Sequence, residues 1–215
     1  MRTYLKLSSL LLLLFAACAS PYKHLHFHED KSQTALQYKP VYEKQVYRCV
    51  VDGKILFKKF HLSGILFFKT MEDKSTRVIF QNEMGFTYFD FKWNGQDSFK
   101  VIQIIDQMNK PALVKTLEKD LSIFLLKDLN KPTEKIAVND GDTFYRFTLS
   151  KGYVYYIAHS GKLETIDNTG KGGKVTTITL TGKDTPKGLP DSALFTHHKA
   201  HFTIQIKKIQ SHVDE

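Results

Sequence analysis

The chain has 215 residues, 42% of them hydrophobic and 25% charged, which excludes an intrinsically disordered protein and allows one domain with a sizeable core. Two cysteines are too few for a disulfide scaffold, and 13% aromatic residues favour strands, where rings pack well on a pleated surface. The formal charge is +9, but its lysines are scattered rather than clustered, so solubility explains it better than a nucleic-acid groove does.

Arg2 and Lys6 precede an uninterrupted apolar core from Leu10 to Phe15, which leads into Ala16-Ala17-Cys18. That stretch is too short for a permanent span, which needs roughly 20 residues, so residues 1–17 read as a cleavable secretory signal. Without it the chain keeps 29 basic against 22 acidic side chains, about +7. Small residues immediately before a cysteine resemble the lipobox of bacterial lipoproteins, with Phe15 in place of the usual leucine. That resemblance implies acyl chains on Cys18, anchored in membrane lipid. Ala19-Ser20 offers no acidic retention residue, which favours the outer membrane and its periplasmic face. Export leaves little opportunity to meet nucleic acid, and a monomer is expected. Cys49, left alone in the apolar run Val46–Val51, is expected to be an inert buried thiol.

Residues 18–40 are polar with no sustained period and read as the lipidated cysteine followed by a flexible tether; the domain then covers residues 41–211. Tyr42–Val51 is rich in strand formers, and Asp52-Gly53 before Lys54–Phe57 is a hairpin signal. The next run passes through Phe60 and Leu62 to Phe68, with Gly64 marking a bulge or bend. Arg77–Gln81 and Gly85–Trp93 follow as strands joined by Asn82-Glu83-Met84-Gly85. In the second, the period of two puts Phe89, Phe91 and Trp93 on one face and Tyr88, Asp90 and Lys92 on the other.

The period then changes. Leu113, Leu117, Leu121 and Leu125 recur every fourth residue behind Asn109-Lys110-Pro111, predicting an amphipathic helix of about five turns capped by Asn109 and ended by Asn130-Lys131-Pro132. Strands return over Asp142–Leu149, Gly152–His159, Leu163–Ile166, Lys174–Leu180 and Phe202–Ile209, separated by turn clusters such as 168–173. The fold class is therefore mainly β (α+β): a curved antiparallel sheet or incomplete β-barrel with one long amphipathic helix packed on its concave face.

This order of elements resembles the lipoprotein-localisation (LolA/LolB-like) superfamily. The resemblance lies in Phe60-His61-Leu62-Ser63-Gly64-Ile65-Leu66-Phe67-Phe68-Lys69, Arg77-Val78-Ile79-Phe80, Glu83-Met84-Gly85-Phe86-Thr87-Tyr88-Phe89-Asp90-Phe91, the leucine helix and a late Gly188-Leu189-Pro190. It covers about residues 42–209 as a pattern, with no short diagnostic motif. It implies an unclosed barrel lidded by helix, with an apolar cavity for acyl chains of lipids or lipoproteins. Phe67, Phe80, Phe89, Phe91, Trp93 and Leu117 are then the candidate lining, although plain core packing would satisfy the same residues. It also implies, for a receptor, an exposed-loop hydrophobe for membrane insertion, to which the sequence assigns no residue. The alternative is a solidly packed interaction lipoprotein that docks an envelope complex.

Catalytic templates are missing. Ser63-Gly64 and Ser160-Gly161 lack the upstream glycine of a nucleophile elbow, and Gly170-Lys171-Gly172-Gly173 lacks the first glycine of a phosphate loop. His24, His26 and His28 alternate, so an extended chain would line up three imidazoles, but without a rigid shell. His197, His198 and His201 are weak metal candidates, because strand-like flanks spoil helical spacing. No cofactor and no enzymatic activity are expected.

Overall fold

A computed structural model of the chain describes residues 21–55, 58–129, 133–182 and 188–209. The expected signal segment and Cys18 lie outside the described residues, as does the expected helix stop at 130–132. Twelve strands form one antiparallel sheet: β1 (Lys44–Ile55), β2 (Lys58–Thr70), β3 (Thr76–Gln81), β4 (Thr87–Trp93), β5 (Phe99–Ile104), β6 (Lys135–Asn139), β7 (Asp142–Thr148), β8 (Tyr153–His159), β9 (Lys162–Gly170), β10 (Gly173–Thr181), β11 (Ser192–His197) and β12 (Phe202–Lys208). Their order is β5-β4-β3-β2-β1-β12-β11-β10-β9-β8-β7-β6, so each strand pairs with its neighbour in sequence and the first and last strands meet in the middle. The edges β5 and β6 do not pair, which leaves the barrel unclosed. The one α-helix among the described residues, α1 (Pro111–Phe124), lies in the connection between those two edges.

The period of two decides which face is core. Leu66 and Phe68 of β2 are buried, as are Phe89, Phe91 and Trp93 of β4, Phe147 of β7, Tyr156 of β8, and Ala193 and Phe195 of β11. α1 fills the concavity these side chains line. Phe124 packs its ring against Phe68 of β2 and Phe195 of β11, at 5.8 and 5.3 Å between centroids. The Trp93 indole donates to Ser122 Oγ at 3.0 Å, and the Tyr156 hydroxyl donates to the carbonyl of Ile123 at 2.9 Å.

The helix differs from its sequence reading at both ends. Its N-cap is Lys110 rather than Asn109, with no side-chain cap bond, and it stops at Phe124 after 14 residues, about four turns. No glycine or proline stops it. Leu126 and Asp128 adopt left-handed backbone, with φ of 50° and 53°, because residues 121–127 are all buried and packing dictates the path of the chain.

Asp52-Gly53 is not a turn. β1 runs straight through it, with Asp52 opposite His61 and Gly53 opposite Phe60. A Cβ on Gly53 would lie 2.3 Å from the Phe60 ring and 2.6 Å from Phe202 Cβ, so this glycine makes room for two aromatic side chains. Gly64 makes no bulge either: pairing of β1 with β2 is continuous past it, and a Cβ there would lie 2.1 Å from the Gln81 carbonyl oxygen. β5, β6 and β11 lie outside the runs that the sequence pattern marks as strands, although Phe195-Thr196 of β11 look strand-like.

Residues 21–40, expected to be a flexible tether, are docked on the domain. Tyr22 lies on the outer face of the sheet, its ring 4.4 Å from Tyr155, and its hydroxyl donates to the buried carboxylate of Asp167. His28 exchanges two backbone bonds with Ile136 on the β6 edge, at 2.9 and 2.8 Å. Glu134 accepts from the Thr34 hydroxyl and the Ala35 amide, both at 2.8 Å, and Ala35 is fully buried. Aromatic and capping residues, which looked unpatterned in sequence, supply these contacts.

Candidate ligand cavity

One end of the barrel carries the β8–β9 turn at Ser160-Gly161, the close of β10 and the approach to β11. A cavity of about 730 Å³ opens there. Its apolar wall is made by Tyr38 of the docked N-terminal segment, Phe124 and Leu126 at the end of α1, Leu163 of β9, Leu180 of β10 and Leu189 before β11. The mouth is polar, with His159, Lys162 and Glu164. His159 is exposed, and its Nδ1 lies 2.7 Å from the Asp142 carboxylate, which raises its pKa above the usual imidazole value. Tyr38 is held in place by its hydroxyl, which donates to the Gly161 carbonyl at 3.1 Å, and by an edge-on contact with Tyr145 at 6.0 Å.

None of the six side chains first considered as lining faces this space. Phe80, Phe89, Phe91, Trp93 and Leu117 are packed in the core, with Phe89 and Phe91 stacked at 4.3 Å. Phe67 lies on the opposite face of β2 from Leu66 and Phe68, half-buried, with the Lys44 ammonium 6.0 Å from its ring centroid. The cavity residues come instead from strand ends, the last helical turn and the segment read as a tether. Phe124 stands beside Leu125, the last leucine of the apolar helix stripe, and that stripe is the signal that could have led to this end of the barrel.

The histidines do not converge, and among the described residues no group of three metal-ligating side chains occurs. His24, His26 and His28 are exposed, while Leu25 and Phe27 between them are half-buried, with the Phe27 ring 5.8 Å from Tyr155. His198 is exposed beside Thr177, and His201 sits in a turn with φ of 52°. His197 is buried on the concave face. Its Nε2 lies 3.2 Å from Asp120 Oδ2 of α1, without the alignment of an imidazole N–H bond. Burial raises the Asp120 carboxyl to about 7 and, with Lys119 and His198 nearby, lowers the His197 imidazole to about 4. Both shifts favour a neutral pair in which the carboxyl O–H faces Nε2. Thr176 Oγ1 donates to Asp120 Oδ1 at 3.2 Å and lies 3.4 Å from His197 Nδ1, which closes the cluster. This pins α1 to β10 and β11.

The other end of the barrel has an exposed apolar tip in the β3–β4 turn. Met84 is 93% and Phe86 56% exposed. Asn82 holds the turn open, its side chain accepting from the amides of Met84 and Phe86 at 3.0 and 2.8 Å. The sequence alone had offered no such residue.

No protein-family model matches the chain, and no curated protein does. Among solved structures, an outer membrane lipoprotein-sorting protein domain from Vibrio parahaemolyticus aligns with 80% of this chain and 86% of its own at 8% identity, with a TM-score of 0.46. A DUF1329 family protein from Desulfovibrio piger aligns with 78% of this chain and 84% of its own at 9% identity, with a TM-score of 0.41. At these scores the likeness carries no functional argument.

Proposed function

We propose that this chain is an envelope lipoprotein, acylated at Cys18, that shelters an acyl chain of a lipid or of another lipoprotein in its end cavity and takes part in its transfer. The observation that carries the reading is the open space of about 730 Å³ with walls of leucine, phenylalanine and tyrosine, a size usual for small-ligand sites. Each methylene removed from water there contributes about 0.8 kcal/mol, so a ten-carbon stretch has a gross driving force of about 8 kcal/mol before its ordering cost. The polar mouth suits a head group or peptide, with the cation of Lys162 and the hydroxyl of Ser160 beside the apolar wall. The signal-like N-terminus and the sequence resemblance support the same reading. The competing reading, a packed interaction lipoprotein, draws on the tight burial of Phe80, Phe89, Phe91 and Trp93.

Filling the cavity tests the choice. Leu163→Trp with Leu180→Trp is expected to weaken binding of a fluorescent long-chain fatty acid at least tenfold, while Phe67→Ala on the outer face leaves it unchanged. Equal binding by all three proteins, or none by the unaltered chain, would favour the packed reading.

A further inference from the structure

Asp120 and Phe124 lie one turn apart on the buried side of α1, Asp120 bonded to β10 and Phe124 lining the cavity. The polar cluster around Asp120 is therefore joined mechanically to the cavity wall. Asp120, Thr176 and His197 are all buried, and their hydrogen bonds close into a ring when Asp120 carries its proton. The carboxyl O–H points at His197 Nε2 across 3.2 Å, His197 Nδ1–H faces Thr176 Oγ1 at 3.4 Å, and Thr176 donates to Asp120 Oδ1 at 3.2 Å. Each donor then has an acceptor. The Phe202 ring, stacked on the imidazole at 3.7 Å, holds its plane.

Without that proton the ring fails. A bare carboxylate sets Oδ2 against the Nε2 lone pair. Moving the imidazole proton from Nδ1 to Nε2 leaves Nδ1 facing Thr176 Oγ1, whose hydrogen is already given to Asp120. The surroundings do not neutralise the charge either. Among the described residues no lysine or arginine pairs with Asp120, and Asn168 of β9, cross-strand from Thr176, and Phe202 of β12 are uncharged. Lys119 on α1 and His198, exposed after β11, are the other titratable groups that act on the pair. Lys119 is half-buried about 100° round the helix from Asp120, so the carboxylate gains its ammonium, or water, only if α1 shifts.

We propose that this cluster is a proton-operated latch on the cavity: with the proton in place it holds α1, and with it Phe124 and Leu126, as a fixed wall, and loss of the proton lets the last helical turn shift and loosens the grip on the acyl chain. The proposal rests on the acyl-binding reading of the cavity and adds its regulation. A preorganised wall binds more tightly than one that must be ordered by its ligand, so the chain is held on the acid side of neutrality and released on the alkaline side. Burial places the Asp120 carboxyl at about 7, within reach of modest changes in pH.

Trp93 reports on the latch without any ligand. It is the one tryptophan of the chain, and its indole N–H donates to Ser122, two residues after Asp120. The indole N–H resonance of the full chain is expected to shift between pH 6 and pH 8.5 with a midpoint near neutrality. Asp120→Asn, whose amide keeps the ring closed by donating to Nε2, is expected to show no shift. A fluorescent long-chain alcohol, which does not itself titrate, should bind the unaltered chain about tenfold more weakly at pH 8.5 than at pH 6, and the Asp120→Asn protein equally at both. His159→Gln, which removes the titrating imidazole at the mouth, should leave both transitions in place. A Trp93 resonance indifferent to pH in the unaltered chain, or shifting alike in Asp120→Asn, would overturn the latch. So would binding that is equal at both pH values, or whose pH dependence disappears with His159→Gln. A Trp93 transition lost in Asp120→Asn, together with no binding at either pH, would uphold the latch on α1 and overturn the acyl-binding reading.

Discussion

At the scale of single residues, the Asp120–His197 pair has the most specific consequence. The folded protein raises the Asp120 pKa from 3.8 to about 7, so its contribution to stability is full below 3.8 and is lost as pH rises towards 7. It lowers the His197 pKa from 6.5 to about 4, so that contribution is full above 6.5 and is lost as pH falls towards 4. Between about pH 4 and 6.5 the two slopes oppose each other, and the pair keeps one proton whether the chain is folded or unfolded. Removing either partner unmasks the other. Asp120→Asn should lose stability as pH falls from 6.5, by up to about 3 kcal/mol. His197→Gln should lose it as pH rises from 4. Urea unfolding of both variants at pH 4.5 and 7 checks this, and slopes of the same sign would refute a shared proton. Nothing local in the sequence signals the pair. His197 stands beside two other histidines, which drew attention to metal, while its actual partner comes from a helix far along the chain.

At the scale of elements, periodicity was legible and placement was not. The alternation Phe89, Phe91, Trp93 and the leucine stripe of α1 both fall on buried faces, because the period of each element is local physics. The Asp52-Gly53 hairpin signal failed because Gly53 serves Phe60 and Phe202, a tertiary demand that local turn preference does not encode. Gly64→Ala should therefore be costly: the atom it would strike, the Gln81 carbonyl oxygen at 2.1 Å, is backbone and cannot rotate away. A loss of several kcal/mol in chemical denaturation is expected, whereas the same change at a strand glycine with open space above it would gain about 0.5–1 kcal/mol. The docked N-terminal segment calls for a gentler experiment. Glu134→Ala removes the acceptor of Thr34 and Ala35, and hydrogen exchange at the Ala35 amide should speed up at least tenfold while global unfolding changes little. Slow exchange in that variant would mean that other contacts suffice to hold the segment beside the cavity.

At the scale of the whole molecule, an unclosed twelve-stranded sheet with a helix driven into its concavity leaves an apolar space where the plug ends. The curved sheet and its helix could be read from the pattern of turns and periods. The position of the cavity could not, since it depends on where α1 stops, on the approach of Leu189 and on Tyr38 from outside the strand pattern. The aromatic residues chosen from sequence are the filling of the barrel, and the opening lies past the end of that filling. This arrangement combines a solid core, which fixes the walls, with an apolar recess at one end. The most direct measurement is native mass spectrometry of the full chain purified from its own envelope, followed by organic extraction and identification of what is released. A lipid or acylated peptide carried at close to one per protein, and displaced in the Leu163→Trp, Leu180→Trp variant, is the expected result. A clean apo mass that stays unchanged after incubation with lipids and acylated peptide would contradict the acyl-binding reading and leave a packed interaction domain in its place.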